Sequence, residues 1–326
     1  MLRRLGSGLI WLALIYSVYW FAASQVLRAG ADKAAVALAE EGIDLRIGAV
    51  DTAGFPARFD LALRDVQIAQ AGWGWQGAVL HVQADSYNPL AVQLAFPQEQ
   101  TLVLGGQTLR VTSQDWHADA AVRPNARLSF DRGHVQMGQT MAVSDAGWQM
   151  GLAQMQAGLA HVAGTSASYD ADLAAERIDL PLVLRDRIDP AGRLGPQVGS
   201  VSGNGRLTFA RPLDRDLRGV LPDLDHLALH DLRLDWGPVA VAASGEIAID
   251  SVGLPTGQIT LRTGQWEILV DVLTSAGVID TGVASTISRL AGFMADADGV
   301  LTVPVTFQDG VMLVALVPVG PAPRLR

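Results

Sequence analysis

The chain has 326 residues, of which 49% are hydrophobic and 17% are charged, and this composition excludes an intrinsically disordered protein. It contains no cysteine, which excludes disulfide bonds, thiolate metal sites and a cysteine nucleophile. Its net charge is -9 and Lys33 is its single lysine, so we expect no nucleic-acid partner. The length suits either two domains or one large β structure with a sizeable core.

The first part of the chain has the pattern of a membrane anchor. Arg3 and Arg4 precede an uncharged run from Leu5 to Leu27, which as a helix of roughly 35 Å is long enough to cross a bilayer. Basic residues before the run place the amino terminus in the cytoplasm and the rest of the chain outside. We therefore predict a single-pass transmembrane anchor over residues 1–27. A signal peptide cleaved after Ala23 and a buried core helix are the alternatives.

Periodicity predicts a mainly β body with helices near its two ends. Residues 28–42 are alanine-rich and end at a glycine, which is typical of a helical stalk. From Ile43 onward, apolar and polar residues alternate in short segments separated by turn residues, as in an antiparallel sheet. Residues 264–296 return to helical spacing and predict a helical hairpin that caps the sheet, with a gate or lid as the alternative. The predicted strands include Ala78–Ala84, Arg127–Phe130, Ser166–Ile178 and Val239–Ala243.

One sequence pattern occurs twice in the body. Phe55–Ile68 reads FPARFDLALRDVQI, and Leu221–Leu234 reads LPDLDHLALHDLRL, 166 residues later. In both copies the alternation of apolar residues slips by one position, at Arg64–Asp65 and at His230–Asp231. A β-bulge, which adds one residue to a strand, has this effect on the pattern.

The repeated pattern leads to a prediction of architecture. We predict two structurally related halves, a first β half over residues 43–195 and a second over residues 196–326 that includes the helical hairpin. Because a bulge bends a strand and increases its twist, two bulged halves favour one long, curved antiparallel sheet. Such a sheet can enclose an apolar groove. Chance similarity between two amphipathic strands is the alternative.

Two motifs carry a resemblance to a known family. Gly54–Asp60 reads GFPARFD, and the tail contains Phe307–Gly310 followed by Val319–Pro323. These segments resemble the signatures of the domain of unknown function 2125, a family of bacterial envelope proteins, and the resemblance covers nearly the whole chain. A small departure is Leu316–Pro318, where the family pattern has Leu-Gly-Pro. The resemblance implies an envelope location and no particular activity. More loosely, the anchor, stalk and repeated strands are similar to AsmA-type envelope proteins that handle lipids.

The sequence contains no motif that assigns catalytic, cofactor-binding or metal-binding residues. His226 and His230 are four positions apart, but on a strand they would stand about 13 Å apart, too far to share one metal ion. Asp296–Gly299 resembles the start of a calcium loop, but Phe307 occupies the twelfth position, where glutamate is required. The sequence therefore does not assign any ligand-binding residues. Five tryptophans in or beside predicted strands indicate core packing, with an apolar ligand groove as the alternative: Trp73, Trp75, Trp116, Trp148 and Trp236.

These observations favour a non-enzymatic protein of the cell envelope. We expect it to be anchored in the inner membrane, with its body in the periplasm, and to bind or handle a phospholipid or another ligand with acyl chains. A structural scaffold for envelope complexes, with protein partners, is the first alternative. A periplasmic hydrolase is the second. No cofactor is expected.

Overall fold

The computed structural model describes residues 42–217, 221–315 and 317–325, together with Ser17, Tyr19, Trp20, Gln25, residues 35–36 and residues 38–40. This part of the chain forms twenty strands in one sheet, with antiparallel pairing throughout, and three helices after residue 181. The prediction of a mainly β protein with a long antiparallel sheet and a C-terminal helical region is confirmed.

Nearly every strand of the sheet pairs with at least one strand that is next to it in sequence, as in a meander. The first half comprises β1 (Asp44–Arg46), β2 (Ala49–Ala53), β3 (Arg58–Gln70), β4 (Trp73–Asp85), β5 (Asn88–Ala95), β6 (Glu99–Leu104), β7 (Gln107–Ser113), β8 (His117–Val122), β9 (Phe130–Met137), β10 (Thr140–Ser144), β11 (Gln149–Leu152), β12 (Gln154–His161) and β13 (Ser168–Asp179).

The second half continues the same sheet and adds the helices. Its strands are β14 (Gln197–Phe209), β15 (Leu224–Trp236), β16 (Val239–Ile249), β17 (Pro255–Thr263), β18 (Leu301–Gln308), β19 (Val311–Val314) and β20 (Val317–Pro321). The helices are α1 (Leu182–Ile188), α2 (Trp266–Ser275) and α3 (Thr281–Met294).

Several of the shorter strands form pairs, and each pair is one long strand with an interruption. β4 pairs with β5 at its carboxyl end and with β6 at its amino end, so β5 and β6 lie in line along the same neighbour. β7 with β8, β9 with β10, and β11 with β12 repeat this arrangement. The sheet is therefore a series of long strands whose connections alternate between two ends.

The two ends of the sheet differ in their connections. One end, which we call the Phe55 end, contains loops 54–57 and 123–129, turn 86–87 and the segment from 210 to the start of β15. The opposite end contains the tight turns after β3, β6, β10 and β15, together with all three helices.

The predicted anchor over residues 1–27 lies almost wholly outside the described residues. Among the helices that the structure describes, none combines the length and the apolar character needed to cross a membrane. Of the predicted stalk over residues 28–42, the described positions 35–36 and 38–40 are helical. Gly42 follows with a φ of 79° and donates its N–H to the Ala39 carbonyl, so the helix ends where the sequence predicts.

The two copies of the repeated pattern form equivalent hairpins. β3 and β15 each have 13 residues, and each is followed by a two-residue turn and a further long strand. In β15 the register shifts between Leu229 and Leu232 against both neighbours, which confirms the predicted bulge at His230–Asp231. In β3 the register against β4 does not change. There Asp65 has a φ of 52° and is not paired with a residue of β4. The predicted insertion of one residue at Arg64–Asp65 is therefore wrong.

The predicted boundary between the two halves falls inside the sheet. Residues 195 and 196 lie between α1 and β14, while the β13–β14 ladder runs from Ser168–Thr208 to Asp179–Gln197 across that boundary. The two segments therefore share one sheet, and the relationship between the complete halves stays a prediction.

The helical hairpin predicted over residues 264–296 is present as α2 and α3. The Asp280 side chain caps α3 by accepting a hydrogen bond from the Val283 N–H at 2.8 Å. Ala291 of α3 packs on Leu301 and Val303 of β18, so the hairpin covers the C-terminal end of the sheet. This agrees with the capping interpretation, and the lid stays a prediction.

Two local predictions from the sequence differ from the structure. Of the predicted strand Arg127–Phe130, residues 127–129 are a loop and Phe130 begins β9. The Asn125 side chain accepts hydrogen bonds from the Arg127 and Ser129 N–H groups and holds a turn there. Helix α1 was not predicted. Its seven residues are too few to show a helical period, and its Ile188 packs beside Leu194 and Trp236.

Candidate functional site

One face of the sheet is apolar across twelve strands. Residues that lie directly opposite each other in a ladder share a face, so the registers can be followed from strand to strand. One such row crosses the sheet from β3 to β18, and every member is aliphatic or glycine. In order it contains Leu61, Val82, Leu94, Ala118, Val135, Ala157, Leu173, Gly203, Leu232, Ala243, Leu261 and Val303.

A second row on the same face repeats this chemistry. It runs beside the first, two residues away in most strands, and adds small side chains to the surface. Its members are Phe59, Ala84, Val92, Ala120, Gly133, Leu159, Ala171, Gly205, Leu229, Gly245, Ile259 and Val305. With strands about 4.8 Å apart, the apolar face extends for about 50 Å across the sheet.

The opposite face of the same strands is polar. The intervening row over β3 to β15 consists of polar residues and one glycine, which is the alternation that an antiparallel sheet with one solvated face requires. Its members are Asp60, Gln83, Gln93, Asp119, His134, Gly158, Asp172, Asn204 and Asp231.

The apolar face is least covered at its centre. Leu61 at one end of the first row and Ala243 and Val303 at the other are buried. From Val82 to Leu232 the members are half-buried, and Leu173 in the middle is 41% exposed. A large aliphatic side chain exposed among apolar neighbours is a feature of binding surfaces rather than of a finished core.

Both ends of the apolar face are covered by other parts of the chain. At the β18 end, α2 and α3 pack against the sheet. At the β3 end, the Trp20 ring stacks on Phe59 with 5.7 Å between ring centroids and meets the edge of Phe55 at 5.4 Å. Trp20 is only 4% exposed, and its Nε1–H donates to the Arg58 carbonyl at 2.8 Å. The apolar face is thus covered at both ends and accessible between them, and we call the accessible part the trough.

The chemistry of the trough suits an apolar, flexible ligand. Alanine and glycine occupy many positions of the two central rows, so the surface is low there and leaves room for a chain to lie on it. Trp75 and Trp116 instead pack around Phe96 at the edge of this region, with ring-centroid distances of 5.9 and 4.9 Å from Phe96. Trp75 also donates to the Gln100 side chain, and Trp236 packs with Leu194, so these three tryptophans serve packing.

The polar face carries ion pairs between neighbouring strands. Arg206 donates to both carboxylate oxygens of Asp170, at 2.8 and 3.2 Å. This hydrogen bond, more than the accompanying charge attraction from Arg206 and His230, lowers the pKa of Asp170 below its ordinary value. His81 lies 3.9 Å from Asp60, and His134 lies 3.7 Å from Asp119.

The Asp170–Arg206 pair gives a prediction for pH dependence. A carboxyl whose pKa is lowered on folding adds stability above its ordinary pKa, and that contribution is lost as the pH falls through the lowered value. We expect Arg206→Gln to raise the pKa of Asp170 toward the ordinary range, as measured by NMR titration of the carboxyl carbon. The matched change Arg262→Gln, on the same face in β17, should leave it in place. An unchanged Asp170 titration in Arg206→Gln would contradict the assignment.

The residues considered for metal binding have other roles in the described structure. His226 Nε2 lies 3.8 Å from the Glu246 carboxylate across the β15–β16 ladder. Asp296 accepts hydrogen bonds from the Asp298 and Val300 N–H groups and so forms the turn between α3 and β18. Within the described residues there is no group of three or more His, Asp or Glu side chains suited to a metal ion. The expectations of no catalysis and no cofactor stay predictions.

A separate apolar groove lies at the helix-bearing end of the sheet. Its volume is about 580 Å³, and Met141 and Val143 of β10 line it together with Leu182 and Val183 of α1. Val183 is 76% exposed. Sequence reasoning missed this groove, because it depends on where α1 lies.

The fold and the two faces define the class of protein: an antiparallel meander sheet with one apolar and one polar face. The chain belongs to a family described as uncharacterized protein conserved in bacteria, the domain of unknown function 2125, whose model matches residues 20–323. The resemblance carried by the GFPARFD motif and the C-terminal pattern is thereby confirmed. A comparison with curated proteins finds no match.

Proposed function

We propose that this protein binds the acyl chains of a phospholipid on the apolar face of its sheet. The observation that carries the proposal is the pair of apolar rows from β3 to β18, half-buried at their centre and covered at both ends. Each methylene group that moves from water onto such a surface contributes about 0.8 kcal/mol, so a single acyl chain offers ample binding energy. The polar face stays in water and keeps the sheet soluble.

The location in the envelope is part of the same proposal. The uncharged run from Leu5 to Leu27 after Arg3 and Arg4 supports an anchor in the inner membrane, with the β domain in the periplasm. A reporter fused after Leu45 should then be active in its periplasmic form. Activity of a cytoplasmic reporter alone at this position would contradict the topology.

Native mass spectrometry of the full-length protein, gently purified from membranes, tests the lipid proposal. We expect phospholipid to remain bound at a fixed stoichiometry and to be recovered by organic extraction. Protein that carries no lipid, and that binds no fluorescent fatty acid or phospholipid after delipidation, would contradict it.

A scaffold role is the second candidate, and the groove beside α1 is the observation that favours it. Exposed Leu182 and Val183 next to Met141 form a compact apolar patch, which suits a protein partner better than an extended lipid chain. In-cell crosslinking from Val183 should then capture one defined partner. The same crosslinker at Leu104, at the same end of the sheet, serves as the control.

A further inference from the structure

The Phe55 end of the sheet combines aromatic, aliphatic and basic side chains. Phe55 in loop 54–57 is 48% exposed, Tyr87 in turn 86–87 is 82% exposed and Leu128 in loop 123–129 is 40% exposed. Aromatic side chains with an apolar body and a polar tip are typical of the interface between membrane and water.

Hydrogen bonds join these loops in two pairs. The Ser86 N–H and hydroxyl both donate to the Ala57 carbonyl, at 3.0 and 2.7 Å, and tie turn 86–87 to loop 54–57. Farther along the same end, the Arg215 N–H donates to the Arg127 carbonyl at 3.1 Å. The Phe130 N–H donates to the Leu213 carbonyl at 2.7 Å, so segment 210–217 is held against loop 123–129.

Positive charge accompanies the apolar side chains. Loop 123–129 contains Arg123 and Arg127 and no acidic residue, although the whole chain carries a net charge of -9. Segment 210–217 adds Arg211 and Arg215, balanced by Asp214 and Asp216, with Arg215 lying 4.0 Å from Asp216. A basic, partly apolar loop on an acidic protein is complementary to an anionic lipid surface.

Two described residues of the uncharged N-terminal run contact the domain at this same end. Tyr19 and Trp20 belong to the run Leu5–Leu27, and the Tyr19 hydroxyl donates to the Ser86 carbonyl at 3.2 Å while Trp20 contacts Phe55. The two described residues Tyr19 and Trp20 therefore lie at the Phe55 end.

We infer that the Phe55 end of the sheet docks on the surface of a bilayer containing anionic phospholipid, through Tyr87, Leu128 and Arg127. This inference deepens the proposed lipid-handling function and rests on that function, because docking would bring one long edge of the apolar face to the membrane. The experiment that tests it measures contact between the Phe55 end and lipid, and this contact does not depend on acyl-chain binding in the trough.

Because the chain has no cysteine, single cysteines can report the contact site by site. Full-length Tyr87→Cys and Leu128→Cys, labelled with an environment-sensitive fluorophore, would be reconstituted in phosphatidylglycerol–phosphatidylethanolamine vesicles with and without brominated lipid. Leu104→Cys and Val183→Cys, at the helix-bearing end, are the controls. We expect a blue shift and at least twofold quenching at Tyr87 and Leu128, and neither effect at the controls.

Charge changes separate lipid docking from other contacts. In the Leu128→Cys background, Arg127→Glu should reduce the quenching at least twofold, whereas Arg110→Glu, in β7 near the opposite end, should not. Equal quenching at all four labels, or none at Tyr87 and Leu128, would overturn the inference. A blue shift in detergent without vesicles that grows with protein concentration would also overturn it and indicate a second copy of the chain at this surface. Fluorescent fatty-acid binding measured on the same samples distinguishes failure of docking from failure of the proposed function.

Discussion

Replacing Leu173 with aspartate is expected to abolish or severely weaken acyl-chain binding while leaving the sheet folded. Leu173 lies in the middle of the apolar row and is 41% exposed, so the new carboxylate keeps contact with water in the free protein. Acyl-chain binding would have to cover that charge, which is strongly unfavourable without a partner. We expect the Kd for a fluorescent fatty acid to rise by a factor on the order of ten or more.

The matched control for Leu173→Asp is Gln156→Asp. Gln156 lies in the neighbouring strand β12 but on the polar face, opposite Gln136 and Ala174. The same charge is thus added a short distance away, on the side that the account assigns to water. Equal weakening by both substitutions would mean that net charge, and not the apolar face, governs binding. Unchanged binding in Leu173→Asp would place the ligand elsewhere.

Replacing Tyr169 with alanine is expected to cause the largest loss of stability among single substitutions in β13. Tyr169 is fully buried, and its ring contacts Phe130, His161 and Phe209 with centroid distances of 5.5 to 6.0 Å. Its hydroxyl oxygen accepts a hydrogen bond from the buried Leu213 N–H at 2.9 Å. Loss of a large buried aromatic side chain costs about 3–5 kcal/mol of unfolding free energy.

A second substitution at Tyr169 separates packing from hydrogen bonding. Tyr169→Phe keeps the ring but leaves the Leu213 N–H without an acceptor, which costs about 1–3 kcal/mol. Tyr87→Ala serves as the exposed control, with an expected change within about 0.5 kcal/mol. Urea unfolding of the full-length protein in detergent measures all three. If Tyr169→Ala unfolds at the same urea concentration as the unchanged protein, the buried cluster is not what holds the Phe55 end together.

Local patterns were sufficient to predict the class of fold. Short segments of the sequence show the alternation that begins at Ile43, the glycine turns and the repeated strands. These features can be recognised without knowledge of the tertiary structure. The end of the stalk helix at Gly42 and the bulge at His230–Asp231 belong to the same category. Each depends on a residue preference or a phase slip that can be read within a few positions.

The candidate site could be predicted only in part, because it depends on register. Each strand of the apolar face shows its own alternation, but the row from Leu61 to Val303 can be recognised only once the registers of eleven strand pairs are known. The covering of the two ends of the apolar face was even harder to predict from the sequence. Trp20 lies inside a run whose hydrophobicity predicts a membrane anchor, and nothing in its neighbours indicates that its ring packs on Phe59.

Errors in the local predictions have identifiable causes. Residues 127–129 have a strand-like composition, but the Asn125 side chain accepts the hydrogen bonds that a neighbouring strand would otherwise accept. At Asp65 the alternation of apolar residues does slip by one position. The left-handed backbone conformation of Asp65 produces this slip without an additional residue in the strand. Both cases show a side chain or a backbone conformation that outweighs the periodic pattern.

Photocrosslinking from the centre of the apolar face tests the central claim most directly. A benzophenone amino acid would replace Leu173 in one full-length variant and Gln156, on the polar face, in another, and both would be irradiated in cells and analysed by mass spectrometry. The account predicts phospholipid adducts from position 173 and none from position 156. Adducts with protein alone at position 173, or lipid adducts of equal yield from both faces, would contradict it.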